Sequence, residues 1–223
     1  MAIPRGGRVL LTGDSITDAG RDRARGDHMG CGYAMMAAAS YTAAHPDHDV
    51  TFLNRGISGD RVRDLRARWQ ADCLDLSPGL VSVLIGINDT WRRYSQNDPT
   101  GADEFERDYR EILERTRQQL DADIVLVEPF LIPISEEQRE WRIDLDLKVE
   151  VVRKLAAEFD AALVAVDHIF AGGGAWRVWT EDGVHLSSAG HALLAREWLK
   201  VVAPDCCATP STGQRREPGR GSA

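Results

Sequence analysis

Five short apolar, β-rich runs recur along this chain and alternate with segments of helical spacing. The runs are Arg8–Thr12, Val50–Asn54, Leu80–Ile85, Asp123–Glu128 and Ala162–Asp167. Between them, apolar positions repeat with helical period over about Tyr33–His45, Val62–Cys73, Asp103–Leu120 and Ile143–Phe159. A last helix is expected over Ser188–Val202, started by the Ser187/Ser188 capping signal. Strands alternating with helices imply βαβ crossovers and a mostly parallel sheet covered on both faces. The near-continuous apolar character of each run agrees, because such strands are buried on both sides. In sheets of this kind, ligands bind beyond the carboxyl ends of the strands. Residues that carry chemistry should therefore follow strands, on one edge.

The rest of the composition narrows the classes. At 223 residues the chain can hold one substantial core. A formal net charge of −8 disfavours nucleic acid and anionic membranes as partners. No apolar run approaches bilayer length, and the opening Met1-Ala-Ile-Pro-Arg-Gly-Gly lacks the apolar stretch of a secretory leader. The four cysteines, Cys31, Cys73, Cys206 and Cys207, form no Cys-x-x-Cys pair or disulfide framework. Reduced thiols in a cytoplasmic protein are expected. From Pro204 the chain turns to Pro, Gly, Ser, Thr and Arg. The organisation read from this is one domain over 1–203 and a disordered tail over 204–223.

Four segments stand just past predicted elements. In Val9-Leu-Leu-Thr-Gly-Asp-Ser-Ile-Thr-Asp, a strand ends at Gly13 and a tight loop can lift the Ser15 hydroxyl to the sheet edge. The full Gly-x-Ser-x-Gly pattern of a nucleophile elbow is absent, since Thr17 stands where the second glycine would be. By itself, Gly-Asp-Ser reads first as a turn with an Asp or Ser helix cap. His185 lies in Thr180-Glu-Asp-Gly-Val-His-Leu-Ser, with Asp182 three positions ahead. One loop could thus hold a carboxylate against an imidazole, the base-and-orienter part of a triad. Asn54-Arg-Gly-Ile-Ser-Gly-Asp offers the Gly59 N–H, and Ile85-Gly-Ile-Asn-Asp offers the Asn88 amide. With the Ser15 N–H, these are candidate donors to an oxyanion.

Taken in this order, Gly-Asp-Ser, Gly-Ile-Ser-Gly, Gly-Ile-Asn-Asp and Asp-x-x-His resemble the SGNH, or GDSL-type, hydrolase superfamily. The resemblance maps its Ser, Gly, Asn and His onto Ser15, Gly59, Asn88 and His185, and its triad Asp onto Asp182. It implies a flavodoxin-like three-layer α/β/α sandwich with five parallel strands, and acyl-ester hydrolysis without a cofactor. The runs Gly30-Cys-Gly-Tyr33, Val62-Arg-Asp-Leu-Arg-Ala-Arg-Trp69, Gly86-Ile-Asn-Asp-Thr-Trp-Arg-Arg-Tyr94 and Val184-His-Leu-Ser-Ser-Ala-Gly-His191 are similar to bacterial intracellular acetylxylan esterases of that superfamily. That implies a small acetylated-sugar substrate and a homo-oligomer, a dimer or a multimer of dimers. A lysophospholipase or thioesterase, or a non-catalytic carbohydrate-binding protein on the same fold, stands as the alternative. A phosphate-binding flavodoxin-like protein would need Gly-rich or basic loops where this chain has Gly13-Asp14-Ser15.

Other residues carry weaker expectations. Asp14 should bond its own loop backbone. Trp91, Trp176 and Trp179 could offer aromatic faces to sugar rings or could pack in the core. Arg61, Arg63, Arg66 and Arg68 read as a solvated face or a subunit contact. His191 reads as a structural or capping residue. Asp182, His185 and His191 match no familiar zinc spacing, so no catalytic metal is expected.

Overall fold

In a computed structural model, residues 3–171 and 176–207 are described. Five strands form one sheet, β1 (Arg8–Gly13), β2 (Thr51–Asn54), β3 (Leu80–Leu84), β4 (Asp123–Val127) and β5 (Ala162–Val164). All four pairings are parallel, in the order β2-β1-β3-β4-β5. The helices are α1 (Ser15–Asp18), α2 (Tyr33–Ala44), α3 (Val62–Asp72), α4 (Ile87–Gln96), α5 (Ala102–Gln119), α6 (Glu136–Glu158), α7 (Asp167–Ala171), α8 (Trp176–Trp179) and α9 (Ser188–Val202).

The side-chain alternation of each strand feeds two cores. Val9 and Leu11 of β1, Leu80 and Leu84 of β3, and Val125 and Val127 of β4 join one cluster with α2 and α9. Leu10, Val81, Val83, Ile124 and Leu126 point the other way, into a cluster with α3 and α5. α6 supplies residues to both clusters, Leu145 and Val149 to the first and Val152 and Leu155 to the second. This is the expected three-layer α/β/α sandwich. A buried polar residue in β3 is matched: Trp198 Nε1 donates to Ser82 Oγ at 2.9 Å.

The sheet order changes direction between β1 and β3, so a crevice opens beyond their carboxyl ends. Ser15 follows β1 and Asn88 follows β3. Both therefore stand at the switch point.

Some elements differ from the sequence reading. α6 begins at Glu136, not Ile143, because Ser135 caps it by accepting from Gln138 N at 3.2 Å. Ile143 itself is 76% exposed, so the apolar residue that marked the expected start faces away from the core. β5 stops at Val164, and Asp167 starts α7. Asp167 is held by both Nη atoms of Arg142 at 2.7 Å. Pro204–Cys207 form a 3₁₀ turn against α9 and α2. The remainder of the expected tail, from 208 on, lies outside the described residues. No helix among the described residues is long and apolar enough to cross a membrane.

Candidate active site

The site begins at Gly13, which has φ +152°. A Cβ there would lie 1.9 Å from the Leu84 carbonyl oxygen, so glycine is required where β1 meets β3. Asp14 then caps the single-turn helix α1, its Oδ1 accepting from Ile16 N at 3.0 Å. This is the loop-backbone bond expected of it. Ser15 becomes the first residue of α1, where its N–H lies among the unpaired donors of a helix start. Asp14 Oδ2 is buried with no hydrogen-bond partner among the described residues. Burial pushes the Asp14 carboxyl up to about 7, against the lowering effects of the Ile16 N–H and the His185 charge.

A second loop brings in the base. An isolated bridge joins Thr180 and Leu186, and Thr180 Oγ1 donates to the His185 carbonyl at 2.7 Å. Asp182 Oδ1 accepts from Val184 N at 2.9 Å and His185 N at 2.7 Å. Asp182 Oδ2 lies 2.6 Å from His185 Nδ1. His185 Nε2 in turn lies 3.1 Å from Ser15 Oγ. The three expected residues thus form one chain of hydrogen bonds. Burial tends to raise the Asp182 pKa, but bonds from the His185 ring and from the two backbone N–H groups outweigh it and hold the carboxyl below its ordinary value.

Support for this loop comes from α6. Gln138 Nε2 donates to the Asp182 carbonyl at 2.6 Å, while its Oε1 accepts from Ile134 N at 2.9 Å. Gly183, at φ +92°, leaves room for it: a Cβ there would sit 2.4 Å from Gln138 Oε1. Gln138 was invisible in the sequence because it falls in the turn and a half of α6 that lacks an apolar stripe.

The third wall is the loop Ser58–Asp60. Asp18 Oδ2 accepts from Ser58 N at 3.0 Å, tying this loop to α1. Gly59 has φ +86°, and its carbonyl accepts from Arg92 Nη2 at 2.7 Å. Asn88 Nδ2 donates one hydrogen to the Asp60 carbonyl at 3.0 Å, which leaves its second donor free of that bond. Asp89 Oδ2 accepts from Val62 N at 3.1 Å. Asn88 thus fastens the start of α4 to the loop that carries Gly59, and Asp89 fastens it to the start of α3. From α3, Arg68 reaches the Gly13 carbonyl (3.2 Å), the Arg55 carbonyl (2.8 Å) and Asp60 Oδ2 (2.7 Å). Arg61 pairs with Asp98 at 2.6 Å. These two arginines are internal braces, not members of a solvated face.

Ser15 and His185 open into a cleft of about 610 Å³ that is also lined by Arg21, Arg23, Ser58 and Cys31. Sequence reasoning missed the two arginines, since their approach depends on Asp18, which bonds Arg21 N at 3.2 Å and Arg23 Nη2 at 2.5 Å. His191 accepts from Tyr33 N at 3.1 Å and caps α2, as expected. Burial, with the His185 charge adding to it, pushes the His191 pKa down to about 4. The Trp91 ring centroid lies 5.8 Å from that of His185. Trp91, Trp176 and Trp179 all pack against the core as partly buried residues, and the carbonyls of Trp176 and Trp179 accept from Thr180 N (3.0 Å) and Ser187 N (2.9 Å), bracing the His185 loop.

The fold and this constellation define a class. Residues 11–193 match the model of the GDSL-like lipase/acylhydrolase family, and the chain belongs to that family. It is a carboxylic ester hydrolase. It is 35% identical over 218 residues to an acetylxylan esterase from Geobacillus stearothermophilus, spanning 91% of this chain and 96% of that enzyme. A crystal structure of that esterase superposes with a TM-score of 0.83 over 90% of this chain and 95% of the other. An alpha/beta hydrolase enzyme from the metagenome of Lake Arreo, Spain, is 29% identical, with a TM-score of 0.83 over 93% and 99% of the two chains.

Proposed function

We propose that this protein removes acetyl groups from xylo-oligosaccharides or similar acetylated sugars, through an acyl-enzyme on Ser15. The observation that carries this reading is the unbroken line Ser15 Oγ, His185 Nε2 (3.1 Å), His185 Nδ1, Asp182 Oδ2 (2.6 Å). Crystal structures described as catalytic mutants of the Geobacillus esterase replace a serine, an aspartate and a histidine by alanine, which supports the same division of labour.

Ser15 Oγ attacks the ester carbonyl while His185 Nε2 takes its proton. Asp182 fixes the tautomer with hydrogen on Nδ1 and balances the imidazolium. The Ser15 N–H, the Gly59 N–H and the second Asn88 Nδ2–H stabilise the tetrahedral oxyanion. His185 returns the proton to the departing sugar oxygen. Water then attacks the acetyl-enzyme by the same route. No cofactor enters the scheme.

Arg21, Arg23, Asp18 and Ser58 in the cleft lining, beside the apolar Ile16 and Leu186, support a hydroxylated leaving group. Trp91 beside His185 is the aromatic face best placed for a sugar ring. Activity profiling from acetyl to palmitoyl esters tests the choice. Rates should fall steeply beyond short acyl groups, and acetylated xylo-oligosaccharides should be turned over. A preference for palmitoyl esters would instead favour the lysophospholipase or thioesterase reading. The assembly we propose is a homo-oligomer in the cytoplasm. Exposed Ile143 and Leu147 on α6 and Val178 on α8 support the first part, and four free cysteines support the second. Light scattering should give a mass above that of one chain.

A further inference from the structure

The C-terminal end of α2 carries a second cluster that ester hydrolysis does not use. α2 closes at Ala44, and His45 follows as its cap, with its N–H bonded to the Tyr41 carbonyl. After α9, the turn Pro204–Cys207 folds back over this helix end. It brings Asp205 Oδ2 to 3.1 Å and Cys206 Sγ to 3.4 Å from the same atom, His45 Nε2. All three ligand atoms lie within 4.8 Å of one another.

Hydrogen bonding accounts poorly for this convergence. One imidazole nitrogen offers at most one N–H, or one lone pair, yet a carboxylate and a sulfur both point at it. A cation at the centre satisfies all three. Zinc takes nitrogen at about 2.0 Å, carboxylate oxygen at about 2.0–2.2 Å and thiolate sulfur at about 2.3 Å, in a tetrahedron. The edges of that tetrahedron are then about 3.3 Å for N–O and about 3.5 Å for N–S. The observed 3.1 and 3.4 Å separations are already close to these edges. An imidazole, a thiolate and a single carboxylate suit zinc, whereas magnesium and calcium require oxygen ligands.

The histidine is also held in place beforehand. The His45 ring stacks on His48 with centroids 4.5 Å apart and planes 15° apart, and lies 4.7 Å from Tyr41. His48 Nδ1 is 2.9 Å from Tyr41 Oη. Such outer contacts orient a ligand before the ion arrives. The carboxylate is exposed, the imidazole and thiol are half-buried, and so the site has a way in from solvent.

We propose that His45, Asp205 and Cys206 bind one Zn²⁺, with water as fourth ligand, and that the ion ties the C-terminal turn to α2. On binding, the Cys206 thiol releases its proton to solvent and its sulfur bonds the metal. The site is remote from the ester chemistry. Tyr33, whose N–H bonds His191 in the cleft, begins the helix that His45 ends, about 18 Å away at 1.5 Å per residue. Its role is to hold the Pro204–Cys207 turn on α2.

Cobalt(II) titration of the untagged, reduced full chain tests this. One equivalent should give a near-ultraviolet sulfur-to-cobalt charge-transfer band with intense tetrahedral d–d absorption, and zinc should displace it. The conservative Cys206→Ser protein, with its fold checked by circular dichroism, should lose the charge-transfer band. His45→Gln should bind more than about 100-fold more weakly, beyond the usual cost of losing an outer contact. Cys31→Ser should titrate like the parent. Absence of a thiolate band in the parent chain, or its survival in Cys206→Ser, would overturn the proposal.

Discussion

Asp14 couples a buried carboxyl to the pH dependence of stability. Its Oδ1 caps α1 while Oδ2 has no hydrogen-bond partner among the described residues, and burial raises its pKa to about 7. Between an unfolded pKa near 4 and the folded value, the folded chain keeps a proton that the unfolded chain has lost. Stability therefore declines as pH rises through that window, and the loss is complete above it. Asp14→Asn keeps the Oδ1 acceptor but cannot ionise. It should match the parent near pH 4 and exceed it at pH 8 by on the order of 1–4 kcal/mol in urea unfolding. Equal pH slopes for the two proteins would contradict a neutral Asp14. Asn88 gives a second test. Asn88→Ala should lower kcat by about 10²–10³, with KM for p-nitrophenyl acetate little changed, if its amide serves the transition state. That Ser15, Asp182 and His185 would come together was legible because each lies in a short segment just beyond a strand or before a helix. The raised pKa of Asp14 was not, because it depends on burial by parts of the chain far away in sequence.

Strands were the easiest elements to read, since two-sided burial makes them apolar throughout. Helices built on polar residues were not. α4 opens Ile-Asn-Asp-Thr and is not among the helices expected from spacing, yet it packs on α6 through Tyr94 stacked on Trp141, with centroids 5.6 Å apart. That packing sets Trp91 beside His185. The first turns of α6 were missed for the same reason, and with them Gln138. Gln138→Ala should leave Ser15 and His185 in place but loosen the Asp182 loop. The expected result is a loss in kcat of about tenfold, since small misplacements of a catalytic group are costly. A rate equal to the parent's would show that the backbone bonds at Asp182 suffice alone. Ser135→Ala should destabilise the chain by about 0.5–2 kcal/mol in thermal or urea unfolding through loss of the α6 cap.

The molecule as a whole places its chemistry by topology. The order β2-β1-β3-β4-β5 reverses direction between the paired strands β1 and β3, which opens a crevice beyond their carboxyl ends, and the segments after those strands carry Ser15 and Asn88. The third loop, with Gly59, is drawn in by Asp18 and Arg68, contacts that join residues 40 and 55 positions apart. Sequence pattern finds the strands and the order of the motifs. It does not find Arg21, Arg23 and Ser58 in the cleft, because all three are gathered on Asp18, whose polar contacts leave no periodic pattern. The central claim is that Ser15 is the nucleophile. Its most direct test is kcat/KM of Ser15→Ala against the parent on acetylated xylo-oligosaccharides and on p-nitrophenyl acetate. Loss of at least about 10³ on both, in a protein with an unchanged circular dichroism spectrum, is the result predicted. A Ser15→Ala protein within tenfold of the parent would contradict it.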